Sequence, residues 1–411
     1  MPDPRWVFLE EFASFSDVRN ATTATGVTSA GRPVTVSFEL VHPPGVSLWS
    51  VHCPGLKKDR GFNGSPQILN AAGPFVVMRM LFFTAGLGGS RARVIDYFVY
   101  RAGPGKPSLH LVPGPCPKVQ SPKQVGVVPA RGAGGHYNVV FPVQRLDPRF
   151  ELEIFVFSSE TRAWSSKLAE FSQDEETTYD EVVLHSPTKA VAAGGGSLAW
   201  IDLWRGALLC EWRRDDGQPV LRLIQWPVPP PRGVAIDIAS PVELRDATMS
   251  DGAIRFVELQ LRSSGYGGRC ACTSYFAREE ATDDEHGWTA SVWKRELGSA
   301  YGWGIGFKAD TYNVFADDSR SRLVRRMRDE GGIDLNKMVT AGPRLSLHDE
   351  DVVYMEAKSS TDPSDPTALM LAINAREERL EAAQQIPSRA CFSTFPQCTF
   401  SRFLDTSPGC L

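Results

Sequence analysis

The stretch SLAWIDLWRGALLCEWRRDDGQPVLRLIQWPVPPP, Ser197–Pro231, decides the fold. It holds three short apolar runs, Ser197–Leu203, Ala207–Trp212 and Pro219–Trp226, divided by Trp204-Arg205-Gly206 and by Asp215-Asp216-Gly217. Glycine closing a three-residue link suits a bulged hairpin, and Asp-Gly is a strong tight-turn signal. Runs this short, bounded by turn residues, predict strands rather than helices. Three consecutive antiparallel strands make a meander, the unit of a propeller blade.

Similar units recur along the chain. Val34–Val41 and Ser47–Val51 predict a first, incomplete unit. Phe75–Phe83, Arg93–Arg101 and Ser108–Val112 predict a second. His136–Val143, Glu151–Phe157 and Trp164–Leu168 predict a third, and the opening stretch is the fourth. Ala253–Arg262, Cys270–Phe276 and Trp288–Arg295 predict a fifth. Asp351–Lys358 and Thr367–Asn374 predict a hairpin of the last. Displacing the chain by 112 residues brings Arg101 onto Arg213, Gly105 onto Gly217, Pro107 onto Pro219, Leu109 onto Leu221, Leu111 onto Leu223, Pro115 onto Pro227 and Pro117 onto Pro229. The glycines and first prolines build a hairpin turn, and leucines two apart share one strand face. The expected fold is all-β and propeller-like, with five to seven blades and few short helices, because propellers limit exposed sheet edges by radial repetition. One propeller-like domain over 6–385 and a tail over 386–411 are expected.

Composition agrees with a globular, turn-rich chain. Its 411 residues are 42% hydrophobic and 22% charged, with 36 Gly and 30 Pro spread along the length. A chain this long exceeds one ordinary core, which a repeat architecture accommodates. The net charge of −4 offers no global basic face for nucleic acid. No secretory signal and no apolar run long enough to span a bilayer is legible. The eight cysteines form no CxxC pair and are expected as reduced, mostly buried thiols of a cytoplasmic or nuclear protein.

Motifs that carry chemistry are weak. Gly195-Gly196-Ser197-Leu198-Ala199 misses GxSxG at its last position, and its serine begins a strand. Cys270 and Cys272 lack a second ligand pair, and Asp283-Asp284-Glu285-His286 reads as a solvated loop. Gly302–Gly306 lacks the GxGxxG spacing. No catalytic residue, metal site or cofactor is expected. Gln173–Glu181 is acidic and reads as a solvated loop. Arg320–Glu330, with Leu323 and Met327 four apart, predicts a short surface helix.

The tryptophans are the better binding candidates. Trp200, Asp202 and Trp204 are spaced to share a strand face if the strand stays regular that far. On one reading they are structural, with Asp202 accepting hydrogen bonds from the turn. On the other, Trp204 and Arg205 are exposed at a blade tip, as residue types enriched in binding hot spots.

WIDLWRGALLCEW followed by LRLIQWPVPPP resembles the plant proteins grouped as domain of unknown function 1618, a family expanded in grasses, whose most characteristic segment here is about 197–355. WVFL at the start, NATTAT, GRPVTVSFELVHPPGVS, DYFVYRAGPGKPSLHLVP, LSLHDEDVVYM and TFSRFLDTSPG are similar to it as well. The resemblance implies an intracellular protein and brings no catalytic residues to transfer. Its layout also resembles the F-box-associated and kelch propellers, without an F-box. The expected function is a non-catalytic scaffold binding another protein. A channel-centred enzyme or small-molecule binder using Asp202, His136 and His185 is the alternative. Nucleic-acid association through Arg320–Arg328 is a weaker one.

Overall fold

Gly105 and Gly217, matched by the 112-residue displacement, both adopt left-handed backbone, φ 80° and 64°, a conformation that costs a residue with a Cβ about 1 kcal/mol or more. Each sits between a long strand and one beginning at or near a proline. In the computed structural model these are equivalent hairpins of two sheets with one sheet between them in chain order. Leu109 and Leu221 are both buried there. The structure describes residues 4–56, 61–85, 91–103, 105–130, 135–146, 150–174, 176–230, 240–261, 287–299, 302–316, 322–359, 368–387, 392 and 394–404.

The chain divides into two compact units: Met1–Ile201 with Leu208–Ile224 and Phe395–Leu411, and Asp202–Ala207 with Gln225–Thr394. The first unit holds four sheets. In the first, β1 (Val7–Leu9), β2 (Ser14–Phe15), β3 (Ala24–Val27), β4 (Pro33–Glu39) and β5 (Val46–His52) assemble with the late strand β27 (Gln397–Cys398), which runs antiparallel to β1. The second is the meander β6 (Gln67–Ala72), β7 (Phe75–Ala85), β8 (Arg91–Arg101) and β9 (Ser108–Leu111). The third is β10 (Gly126–Pro129), β11 (Tyr137–Arg145), β12 (Glu151–Ser158) and β13 (Ala163–Leu168). The fourth is β15 (Lys189–Gly194), β16 (Ser197–Asp202), β17 (Gly206–Trp212) and β18 (Pro219–Gln225), with β14 (Glu170–Phe171) parallel to β18 at its edge. A six-residue helix, α1 (Tyr179–Leu184), lies between β14 and β15 in the chain.

The second unit holds two sheets. One is β19 (Arg245–Ser250), β20 (Ala253–Leu261), β21 (Trp288–Glu296) and β22 (Gly304–Asp310). The other is β23 (Val339–Leu345), β24 (Val352–Lys358), β25 (Ala368–Asn374) and β26 (Arg379–Gln385). Helices α2 (Thr311–Val314) and α3 (Arg322–Asp329) follow β22. Val324 of α3 is buried, and Leu323 and Met327 pack against the same core, as their spacing predicts. Six sheets, each built largely in chain order, form a six-bladed β-propeller arrangement. The first strands of successive sheets are neighbours within each unit, β6 with β10 and β15, and β19 with β23.

The meanders follow the expected runs closely, with one systematic difference. Five of the six sheets carry an additional first strand, β6, β10, β15, β19 or β23, that apolar periodicity did not mark. In the fifth sheet β20 pairs directly with β21, and β22 supplies the outer strand. The expected strand Cys270–Phe276 lies outside the described residues. The acidic stretch read as a loop runs into α1. Among the described residues no helix is long and apolar enough to cross a membrane.

Candidate functional site

β16 ends at Asp202, and the side chain of that residue builds the turn beyond it. Asp202 Oδ1 accepts the backbone N–H of Trp204 at 2.8 Å and of Arg205 at 3.2 Å. Its Oδ2 lies 3.5 Å from Arg205 Nη1. Asp202 is buried, so these bonds offset the cost of taking a carboxylate out of water. Its carbonyl accepts the Trp226 indole N–H at 2.8 Å. The turn-accepting role expected of Asp202 is present.

Because the strand stops there, Trp200 and Trp204 do not share a face. Trp200 is buried among Val140, Leu198, Leu208 and Leu223 of the first unit, and its indole donates to the Gln124 carbonyl at 2.7 Å. Trp204 packs with Leu244, Val257 and Trp288 of the second unit. At 6% exposure it is not a surface residue, which agrees with the structural reading of the tryptophans and goes against the alternative of a ring exposed at a blade tip. Its Nε1 is buried without a hydrogen-bond partner. Arg205, held by Asp202, is partly exposed.

Below the turn lies a charged pair that sequence reading missed. Arg245 of β19 is fully buried, its guanidinium carbon 5.3 Å from the Trp204 ring centroid and 5.4 Å from that of Phe256. It donates to Glu258 Oε1, to the Leu203 carbonyl at 3.2 Å and to the Pro229 carbonyl. Burial lowers the Arg245 pKa, while Glu258 and Asp202 work in the opposite direction. Trp226 stacks on Phe256 at 4.6 Å, and Trp303 donates to the Gln225 carbonyl at 2.8 Å. The arrangement grips the strand-ending segment Gln225–Pro229 by its carbonyls. Aromatic faces beside a guanidinium stabilise the buried cation.

The other sequence candidates fall as follows. Gly194, Gly195 and Gly196 all take positive φ in the β15–β16 hairpin, so Ser197 opens a strand after a glycine turn and not a helix. His136 precedes β11 and is partly buried, and His185 is buried as the residue closing α1. Cys270, Cys272 and Asp283–His286 lie outside the described residues. Cys53, Cys116, Cys210 and Cys398 are free thiols. Among the described residues no group of three or more His, Cys, Asp or Glu side chains is placed to hold a metal ion.

The surface left by these structural contacts includes α1. Thr178 caps the helix by accepting the Glu181 N–H, and Asp180 and Glu181 occupy its first turn, where carboxylates are favoured. Val182 points into the core. Tyr179, Val183 and Leu184 remain 44%, 38% and 57% exposed. The Tyr179 hydroxyl accepts the Phe150 N–H at 3.0 Å, and its ring meets Phe150 and Phe171. A Thr cap followed by Asp-Glu was the sequence signal available for this helix.

A search of curated proteins finds none that matches the sequence. Among solved structures, AztD from Citrobacter koseri is similar at 12% identity, with 94% of this chain and 88% of that one covered and a TM-score of 0.29. A point mutant of Bacillus subtilis levansucrase is similar at 7% identity, with 80% and 87% covered and a TM-score of 0.26. Likenesses at these scores bear on neither ligand nor activity. The turn and its supporting pair lie in a stretch that a family model matches. Residues 200–354 match the family model described as protein of unknown function (DUF1618).

Proposed function

We propose that the protein is a non-catalytic, intracellular β-propeller scaffold that binds another protein through segments connecting its strands. The observation that supports this reading is the face of α1. Three large apolar side chains, Tyr179, Val183 and Leu184, stand exposed on a helix whose inner face is anchored in a core. Contiguous exposed apolar side chains rimmed by polar ones are what protein interfaces use. The turn carrying Arg205 is a second candidate contact, with Asp202 fixing the guanidinium and Trp204 acting as an internal support.

The test is photo-crosslinking in cells, with the reactive group placed at position 183 and, separately, at position 205. A discrete protein crosslinked at either position, and lost at position 183 when Leu184 is substituted in a folded variant, is the expected result. Absence of any crosslinked protein at both positions would overturn the scaffold reading.

A further inference from the structure

Resting on the scaffold reading, we propose that α1 and the acidic segment leading into it dock a basic amphipathic segment of a partner protein. From Ser172 to Leu184 the chain reads SQDEETTYDEVVL, with five carboxylates and no lysine or arginine. Helical spacing places Val183 beside Tyr179 and Asp180, and Leu184 beside Asp180 and Glu181. An apolar face and a negative rim are therefore on one small surface. The matching occupant carries apolar side chains at helical spacing flanked by Lys or Arg, the helix-in-groove mode of recognition. Its charge complements the rim, which speeds encounter and suppresses acidic partners. The same rim repels anionic lipid and nucleic acid.

The surface is held in place before any partner arrives. Thr177 donates its N–H to Asp174 Oδ1 at 2.8 Å, and Ser172 donates to Oδ2 at 2.7 Å. Thr177 Oγ1 in turn accepts the Leu223 N–H at 2.8 Å, tying the acidic segment to β18. Burial works to raise the Asp174 pKa, but these hydrogen bonds, with the charge of Arg222 adding to them, keep the carboxyl below its ordinary value. The nearby Arg222 lies 3.7 Å from Glu211. The Phe150 and Tyr179 contacts fix the other end. A pre-ordered surface avoids part of the entropic cost of binding.

The probe is a fluorescein-labelled Leu/Lys peptide about four helical turns long, leucines at i, i+3, i+4 and i+7, titrated against the full chain by anisotropy. A Leu/Glu peptide of the same pattern is the control. The expected result is saturable binding of the Leu/Lys peptide, weakened about tenfold or more by Val183→Ser with Leu184→Ser, and by Asp180→Asn with Glu181→Gln. The second pair leaves the apolar face intact, so it reports charge even if the first pair unfolds. Raising salt should weaken the wild type and affect the charge variant less. Equal binding of the Leu/Glu peptide, or binding insensitive to both pairs, overturns the proposal. So does self-association lost on substituting Arg325 and Arg326 of α3, which would make the occupant a second copy. A partner crosslinked at position 205 but not at 183 would overturn this assignment while the scaffold reading stands.

Discussion

Arg245 and Glu258 face each other across β19 and β20, guanidinium to carboxylate, with Arg245 fully buried and Glu258 nearly so. Five acceptor atoms converge on the guanidinium, Glu258 Oε1 and the carbonyls of Leu203, Trp204, Val228 and Pro229. The pair thus fastens the turn after β16 and the proline run after β18 to the fifth sheet. A single residue holds both connecting segments.

Removing one partner leaves the other charge buried and uncompensated. Glu258→Gln is expected to cost the second unit about 3–5 kcal/mol. Arg245→Met combined with Glu258→Leu should recover much of that loss, since apolar replacement of a buried pair is often tolerated. Urea unfolding followed by tryptophan fluorescence checks this. Two units make a single two-state fit unsafe, so the transition carrying the change must be identified. A loss below about 1 kcal/mol for Glu258→Gln would mean that the pair is solvated in the folded protein.

The two tryptophans of the central motif should respond differently to the same change. Trp200→Phe removes the indole bond to Gln124 and leaves a buried carbonyl unpaired, at a cost of about 1–3 kcal/mol beyond lost packing. Trp204→Phe removes a donor that has no partner, so the desolvation penalty of that N–H disappears with it. The expected outcome is that Trp204→Phe costs at least about 1 kcal/mol less than Trp200→Phe in matched denaturant titrations. Equal costs would show that volume, not hydrogen bonding, sets both.

Such differences mark how far the sequence could be read. Strands bounded by Gly-rich and Pro-rich turns were legible because turn chemistry is local, and so was the role of Asp202, whose carboxylate bonds residues two and three ahead. The first strands were not. QILNAA, GVVP, KAVAAG, RDATMS and VTAGPRL are short, small or polar; each pairs with the next strand in the chain, but its neighbours in other sheets come from distant chain. Asp246 of RDATMS accepts the Leu345 N–H 99 residues away, which no periodicity reveals. Which of the two readings of Trp204 holds depends on β16 stopping at Asp202, and the buried ring agrees with the structural one. The helix α1 was hidden by its own acidity, although Thr178 followed by Asp180 and Glu181 is a capped start.

Asn70 shows how those first strands are joined. Its Nδ2 donates to the Ala190 carbonyl at 2.7 Å, and its Oδ1 accepts the Val127 N–H at 2.9 Å, so one buried amide links β6 to β10 and β15. Asn70→Leu keeps approximate volume but leaves both backbone groups unpaired. The expected destabilisation of the first unit is about 2–5 kcal/mol, read as a lowered denaturation midpoint. Hydrogen exchange at Val127 should accelerate more than at strand-paired amides of the same sheet. Unchanged exchange there would show that water replaces the amide.

Alkaline pH offers a separate test of burial. Burial, with Asp96 adding to it, raises the Cys116 thiol to about 11 from 9.0, and burial raises the Tyr137 and Tyr354 phenols to about 12 from 10.0. Each group ionises more readily in the unfolded chain than in the folded one. The folded state therefore binds more protons, and stability falls as pH rises. The contribution is complete below pH 9 and erodes above it, first through Cys116 together with the buried thiols Cys53, Cys210 and Cys398, also raised by burial from 9.0. Above about pH 10 it erodes further through Tyr137 and Tyr354 together with Tyr97 and Tyr100, also raised by burial. Unfolding midpoints should be flat up to about pH 9 and decline above it, and Cys116→Ser should make the early part of that decline shallower without abolishing it. Phenolate absorbance in the folded protein should lag that of the urea-unfolded chain over the same range. Coincident phenolate titrations would mean that water reaches Tyr137 and Tyr354, and that the third and sixth sheets are packed more loosely than their buried side chains indicate.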